Sequence, residues 1–180
     1  LGEGSWNSTH KPDRICFYYS CRSVFRSKEP SYQKAKFTSI KRISHNNLSP
    51  KIKCGANYIN SRFGYLETNP VKNNSEKYLP IFFDENGFIS ESSGSTIFII
   101  QGKNIITPSL DNSILPSITR EFLINLLSKE LIEYKVLEKN IDRWDLYKAD
   151  SLFAVGTNIE IVFISTLDFI SYNKNLKINE

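Results

Sequence analysis

Lys53 stands between an apolar stretch and a glycine-flanked helix start, Gly55-Ala56-Asn57-Tyr58. An amine held against apolar walls loses its charge more easily, and the neutral amine is the form that attacks a carbonyl. Glu91 opens a turn of small residues, Glu91-Ser92-Ser93-Gly94-Ser95, where a carboxylate between strands can face a ligand nitrogen. Two further segments suit an anion. Pro116-Ser117-Ile118-Thr119 opens a helix, so unpaired N–H groups, the positive dipole end and a hydroxyl converge there. Gly156-Thr157-Asn158 is a turn between strands that can present N–H groups and a hydroxyl in the same way. Each also has a plainer reading: a surface lysine, a solvated carboxylate, a helix cap, a hairpin turn.

These groups need elements to hold them. Arg14 to Ser23 and Lys34 to Ile43 show partial alternation of apolar and polar residues and read as strands joined by a polar loop containing Pro30. From Ala56 to Glu67, Tyr58, Ile59, Phe63 and Leu66 recur at spacings of three or four, which predicts a helix with that face buried. Leu79 to Phe83 reads as a strand. Asp84-Glu85-Asn86-Gly87 is a hairpin turn, because Asn-Gly tolerates the positive φ a tight turn requires. Phe88-Ile89, Thr96 to Ile100 and Ile105 to Thr107 follow as strands. Thr119 to Leu131 is the best-patterned helix, with Phe122, Leu123, Leu126, Leu127 and Leu131 on one face. Tyr134 to Leu137 is a strand, Arg143 to Lys148 a short helix, and Ser151 to Val155 and Glu160 to Ile164 the closing strands. No repeat and no linker divides the chain, so the fold class is α+β and sheet-rich.

The 180 residues carry 23 Lys+Arg against 19 Asp+Glu, a net charge of +4, and are 40% apolar, which excludes a disordered tail or a fibrous repeat. No apolar run, Ile97 to Ile100 among them, comes near the roughly 18 residues of a membrane span. Basic residues crowd between Arg22 and Arg42, near Phe17, Tyr18, Tyr19 and Phe25. That could track nucleic-acid phosphates, but acidic residues recur through the chain and a solvated face is the better reading, with no nucleic-acid partner. Three cysteines and two histidines offer neither a disulfide framework nor a metal set. They fit a reducing compartment, the cytoplasm or an organelle stroma or matrix. Cys54, beside the lysine, reads as a space-filler. There is no methionine, and the first residues lack the basic start and apolar stretch of a signal peptide; the expectation is a fragment of a longer protein.

Taken together and in order, these segments resemble class IV pyridoxal-phosphate-dependent aminotransferases, the branched-chain subgroup above all. The resemblance is carried by Lys53-Cys54-Gly55-Ala56-Asn57-Tyr58-Ile59-Asn60-Ser61, by Asp84 to Phe98 with Glu91 at its centre, and by Thr107-Pro108. It continues through Ile114-Leu115-Pro116-Ser117-Ile118-Thr119-Arg120 and Ala149-Asp150 with Gly156-Thr157-Asn158-Ile159-Glu160. It implies the D-amino-acid-aminotransferase-like fold, known as fold type IV, with residues 1–180 as an incomplete cofactor-binding large domain. By the same resemblance, the family's smaller N-terminal domain and last helix are expected to be absent from these residues.

The resemblance implies roles as well. Lys53 would bond covalently to pyridoxal 5'-phosphate and act as general base and acid in a 1,3-proton shift. Tyr58 would hydrogen-bond the cofactor's phenolic oxygen, Glu91 its pyridine nitrogen, and Leu115 would pack on the ring. Ile118, Thr119 and Thr157 would bind the phosphate, and the backbone at Thr157-Asn158 would lie near the substrate carboxylate. The implied reaction moves the amino group of a branched-chain amino acid to 2-oxoglutarate, in a homodimer. Alternatives are a D-amino-acid aminotransferase, an aminodeoxychorismate lyase, or a non-catalytic relative acting as a binding protein. Departures from the family pattern are Thr96 where Asn is usual, Ser117 for Gly, Asn158-Ile159 for a small pair, and Val162-Phe163-Ile164 for Thr-Pro-Val.

Overall fold

The computed structural model of the chain describes residues 16–21, 23, 29–70 and 76–172. Among them, nine strands form a single sheet: β1 Ser31–Lys41, β2 Tyr78–Phe83, β3 Ile89–Ser92, β4 Thr96–Gln101, β5 Asn104–Pro108, β6 Lys135–Lys139, β7 Ser151–Gly156, β8 Glu160–Leu167 and β9 Ile170–Ser171. The helices are α1 Gly55–Thr68, α2 Ile118–Glu130 and α3 Arg143–Tyr147. The sheet order is β3-β2-β1-β8-β7-β4-β5-β6, with β9 on β8. Laid flat, that order would hold β3 and β6 roughly 34 Å apart at about 4.8 Å per strand. Instead β3 lies against β4 and β5, and the Ile89 N–H donates to the Ile141 carbonyl just past β6 at 2.7 Å. The sheet therefore curls on itself.

The curl explains why so many strand residues are apolar on both faces. In β4, Ile97 and Ile99 enter the interior cluster with Ile81, Ile89, Ile106 and Leu152, while Phe98 and Ile100 join Phe153 and Val155 on the outer face. A strand buried on both sides reads as a continuous apolar run, as Thr96 to Ile100 does. Three strand pairs are parallel, β1 with β2, β1 with β8 and β5 with β6. Parallel neighbours need a crossover. α1 crosses from β1 to β2 and α2 from β5 to β6, each packed on the outer face.

The two helices are seated differently from what their apolar spacing predicts. In α1 the buried residues are Asn57, Ser61, Gly64 and Thr68, whereas Ile59 and Phe63 are 57% and 58% exposed and Tyr58 and Leu66 are exposed too. The small face is inward because α1 rests on the ring of Phe82. A Cβ at Gly64 would lie 2.3 Å from that fully buried ring, so only glycine permits the approach. In α2, Leu123 is buried and Leu127 and Leu131 pack beside it, but Phe122 and Leu126 are exposed.

The remaining strand and helix positions agree with the pattern to within a few residues, and the short β9 carries no pattern that marks it. The strand expected from Arg14 to Ser23 is not formed where it can be seen: Cys16–Cys21 have no strand structure and are exposed. Arg14, Ile15 and Arg22 lie outside the described residues, as does most of the polar stretch after Thr68-Asn69-Pro70. Among the described residues no helix is long and apolar enough to cross a membrane.

Candidate functional site

The site is built around Glu91. The β2–β3 hairpin that carries it is closed by Asp84, whose Oδ1 accepts the N–H groups of Asn86 and Phe88, both at 2.9 Å, and whose Oδ2 accepts from Asn112 Nδ2 at 3.0 Å. Beyond Glu91 the chain turns through Gly94 at φ +98°, with the Ser92 N–H donating to the Ser95 carbonyl at 2.8 Å. Glu91 is therefore fixed at both ends of a four-residue strand whose residues are all buried.

Its carboxylate is held from two sides. Arg42 Nη2 donates to Oε1 at 2.5 Å, and the Leu115 N–H donates to Oε2 at 3.2 Å. Both members of the ion pair are buried, with side chains 3% and 7% exposed. Burial pushes the Glu91 carboxyl up to about 7, against the opposing pull of Arg42 and the Leu115 N–H. Arg42 is itself fixed by α1: Nη1 donates to Ser61 Oγ at 2.8 Å and to Asn60 Oδ1 at 3.4 Å. The polar face that α1 turns inward is thus the face that braces this pair.

Lys53 lies in the loop leading into α1. Asn57, one turn into the helix, donates from Nδ2 to the Ser49 and Ile52 carbonyls at 3.0 and 2.7 Å, which fixes the loop on which the lysine sits. The lysine lines the cleft but is exposed, so the apolar enclosure expected from its neighbours is not formed by the described residues.

The two anion-binding candidates meet. Ser117 caps α2, its Oγ accepting the Arg120 N–H, while the Ile118 and Thr119 N–H groups precede the first intrahelical acceptors. Thr119 Oγ1 stands 3.3 Å from Thr157 Oγ1 in the β7–β8 turn. Arg120, buried beneath, donates from Nη2 to the Pro108 carbonyl at 2.8 Å and to Glu138 at 2.6 Å, pinning the start of α2 to β5 and β6. On the other side, a Cβ at Gly156 would come 3.0 Å from the Gly94 carbonyl, so the glycine there lets the Glu91 turn and the Thr157 turn approach closely without crowding.

One cleft of about 170 Å³ joins these parts. Lys53, Tyr58, Glu91, Leu115, Thr157 and Asn158 all line it. Thr119 and Ile118 do not line it: Thr119 stands beside Thr157, which does, and Ile118, at the start of α2, is 83% exposed. Ile159 packs on the interior cluster and not on the cleft. Sequence reasoning missed Arg42, which looked like one more residue of a basic face. It also missed Asn57, Ser95 and Thr96 as cleft residues. Arg42 Nε, Asn57 Oδ1, Ser95 Oγ and Thr96 Oγ1 are buried with no hydrogen-bond partner, and all four residues line the cleft. Buried polar groups are rarely left unpaired, so such a concentration marks a place for a polar ligand. No pattern in the sequence signals it, because it depends on which strands the curl brings together.

Comparison with known proteins gives a consistent picture. Residues 5–167 match the family model for amino-transferase class IV. A probable branched-chain-amino-acid aminotransferase of Aquifex aeolicus is 35% identical over 135 residues, which is 75% of this chain and 42% of that protein. The crystal structure of the branched-chain amino acid aminotransferase from Thermobaculum terrenum in its PLP form superposes with a TM-score of 0.77 at 33% identity, covering 85% of this chain and 48% of that one. A T.th. branched-chain amino acid aminotransferase complexed with N-(5'-phosphopyridoxyl)-L-glutamate gives a TM-score of 0.70 at 27% identity, covering 79% and 45%. The chain spans less than half the length of each of these relatives.

Proposed function

The chain belongs to the class IV amino-transferase family, and from that premise we propose that its cleft binds pyridoxal 5'-phosphate and serves amino transfer between an amino acid and a 2-oxo acid. The observation that carries this reading is the meeting in one cleft of Lys53, Tyr58, Glu91 and Thr157, drawn from three separate segments. The donor set fits the cofactor. An amine, a phenol, a buried carboxylate and a hydroxyl-lined helix start match its aldehyde, its phenolic oxygen, its ring nitrogen and its phosphate. The unpaired polar atoms of the cleft wall also call for a polar occupant.

When bound, the cofactor supplies an electron sink for the charge left at the substrate carbon as its proton departs. Lys53 would bond to the cofactor and serve as base and then acid for that proton. Tyr58 would hold the phenolic oxygen, and Glu91 would hold the ring nitrogen in its protonated form. Leu115, whose N–H donates to Glu91, would lie against the ring. The Ile118 and Thr119 N–H groups and the Thr119 and Thr157 hydroxyls would hold the phosphate. The Thr157-Asn158 backbone would receive the substrate carboxylate.

A branched-chain amino acid as donor is supported by the names of the relatives, and 2-oxoglutarate as acceptor by the glutamate conjugate in the T.th. enzyme. The working form is a homodimer in a reducing compartment. Adding pyridoxal phosphate to the folded chain should raise an absorbance band near the visible edge that borohydride bleaches and that is lost in Lys53→Ala. Valine, leucine or isoleucine should then be consumed with 2-oxoglutarate in preference to D-alanine. A folded sample with no band would sink the reading for this chain.

A further inference from the structure

The Arg42–Glu91 pair has a feature that stability does not account for. Two opposite charges taken out of water cost more in desolvation than their attraction returns in many proteins, and apolar replacements are often as stable or more so. Here the pair sits in the wall of the cleft, Arg42 Nε has no partner, and Glu91 spends only one acceptor site of each carboxylate oxygen, on Arg42 and on the Leu115 N–H. An ionised carboxylate has about four such sites, so Glu91 keeps capacity toward the cleft. The charged residues lining the cleft are Arg42 at the end of β1, Lys53 before α1 and Glu91 itself. The titratable groups beside them are Tyr58 and Cys54, while the α2 start and the β7–β8 turn offer only hydroxyls, amide groups and backbone. Arg42 alone among these reaches Glu91 in a hydrogen bond, and Ser61 and Asn60 fix its guanidinium from behind.

We propose that Arg42 is a positioning residue for the cofactor's ring nitrogen: it holds Glu91 ionised and aimed, so that the carboxylate, and not the guanidinium, meets the ring N–H. This rests on the pyridoxal-phosphate reading given above. An arginine suits the task because it cannot give up its proton in a protein, so no proton supplied to this corner can be lost to it. Burial alone favours the neutral acid, which would donate to the ring nitrogen rather than accept from it. Arg42 opposes that drift.

The test compares Arg42→Met and Arg42→Lys with the parent chain. Without cofactor, the Glu91 carboxyl is titrated by carbon NMR of chain labelled in glutamate, with Glu91→Gln assigning the signal. Arg42→Met should raise its midpoint by about one pH unit or more, a tenfold change in the protonation equilibrium. Arg42→Lys, which keeps the charge but loses the fork, should fall between. With pyridoxal phosphate, the pH midpoint of the visible band should move in the same order. If Arg42→Met does not fold, Arg42→Lys decides by the same two readouts. A Glu91 midpoint that neither variant moves overturns the proposal, as does a parent band whose pH profile both variants leave unchanged. Absence of the band in the parent chain counts against the cofactor reading instead, and the cofactor-free titration still judges whether Arg42 governs Glu91.

Discussion

The two crossover helices do the same topological task by opposite means. α2 is held by apolar contact, with Leu123 driven between the Phe98 and Phe153 side of the sheet, and by Arg120 at its foot. α1 is held by a seam of small and polar residues and leaves its apolar stripe outside. The difference follows from what each helix supports. α2 has only its capping residue, Ser117, on the cleft and can be plugged in by ordinary hydrophobic burial. α1 must reach inward with hydrogen bonds, from Asn57 to the lysine loop and from Asn60 and Ser61 to Arg42. Its inward face is therefore polar because the site is.

Breaking the apolar attachment should show the largest effect: Leu123→Ala should cost about 3.5 kcal/mol of unfolding free energy in urea titration, through lost burial and the cavity left behind. Next comes the cost of burying the carboxylate that α1 braces. Burial pushes the Glu91 carboxyl up from an ordinary 4.5 to about 7 in the fold. Between those values the unfolded chain has released the proton while the folded chain still holds it. Stability relative to Glu91→Gln should therefore fall as pH rises through this window and level off above it, by on the order of 3 kcal/mol in all. A difference that is flat, or that grows with pH, would contradict this. Gly64→Ala should cost about 2 kcal/mol, because the added methyl must displace the Phe82 ring. Phe63→Ser, on the outer stripe of α1, should change the stability of this chain by less than about 0.5 kcal/mol. A loss comparable to that of Leu123→Ala would mean that the stripe is covered in solution and would erase the contrast between the helices.

The strands and turns were legible because their signals are local. Asp84 to Gly87 closes a hairpin through its own side chain and a glycine, and the continuous apolar run of β4 announces a strand buried on both faces. The seat of α1 was not legible. Periodicity identifies an apolar stripe but not the neighbour available to it, and here Phe82 and Arg42 sit beneath the other face. Lys53, Glu91 and Thr157 could be singled out by residue type and turn context, and the order of their segments resembled one family. Arg42 could not, since an arginine at a strand end looks like surface until Ser61 and Glu91 are seen around it. The aromatic run Phe17 to Tyr19 misled in the opposite way: β-prone residues form a strand only where a sheet edge receives them.

The place of β1 in the sheet has a consequence for how the chain acquires its shape. β1 pairs with β2 on one side, but on the other it waits for β8, with Ser31 opposite Val162. A polypeptide emerging from the ribosome cannot make that second pairing until nearly all of the described sequence has been synthesised. Until then β1 offers an open edge to any strand nearby. That late ladder runs along Ser31 to Ala35, so the start of β1 is sealed only after long-range search, while its far end is already held by β2 and by the Arg42 N–H on the Phe83 carbonyl. Translation speed and chaperone supply, more than residue-level stability, would then govern how much of the chain closes its sheet correctly in a cell.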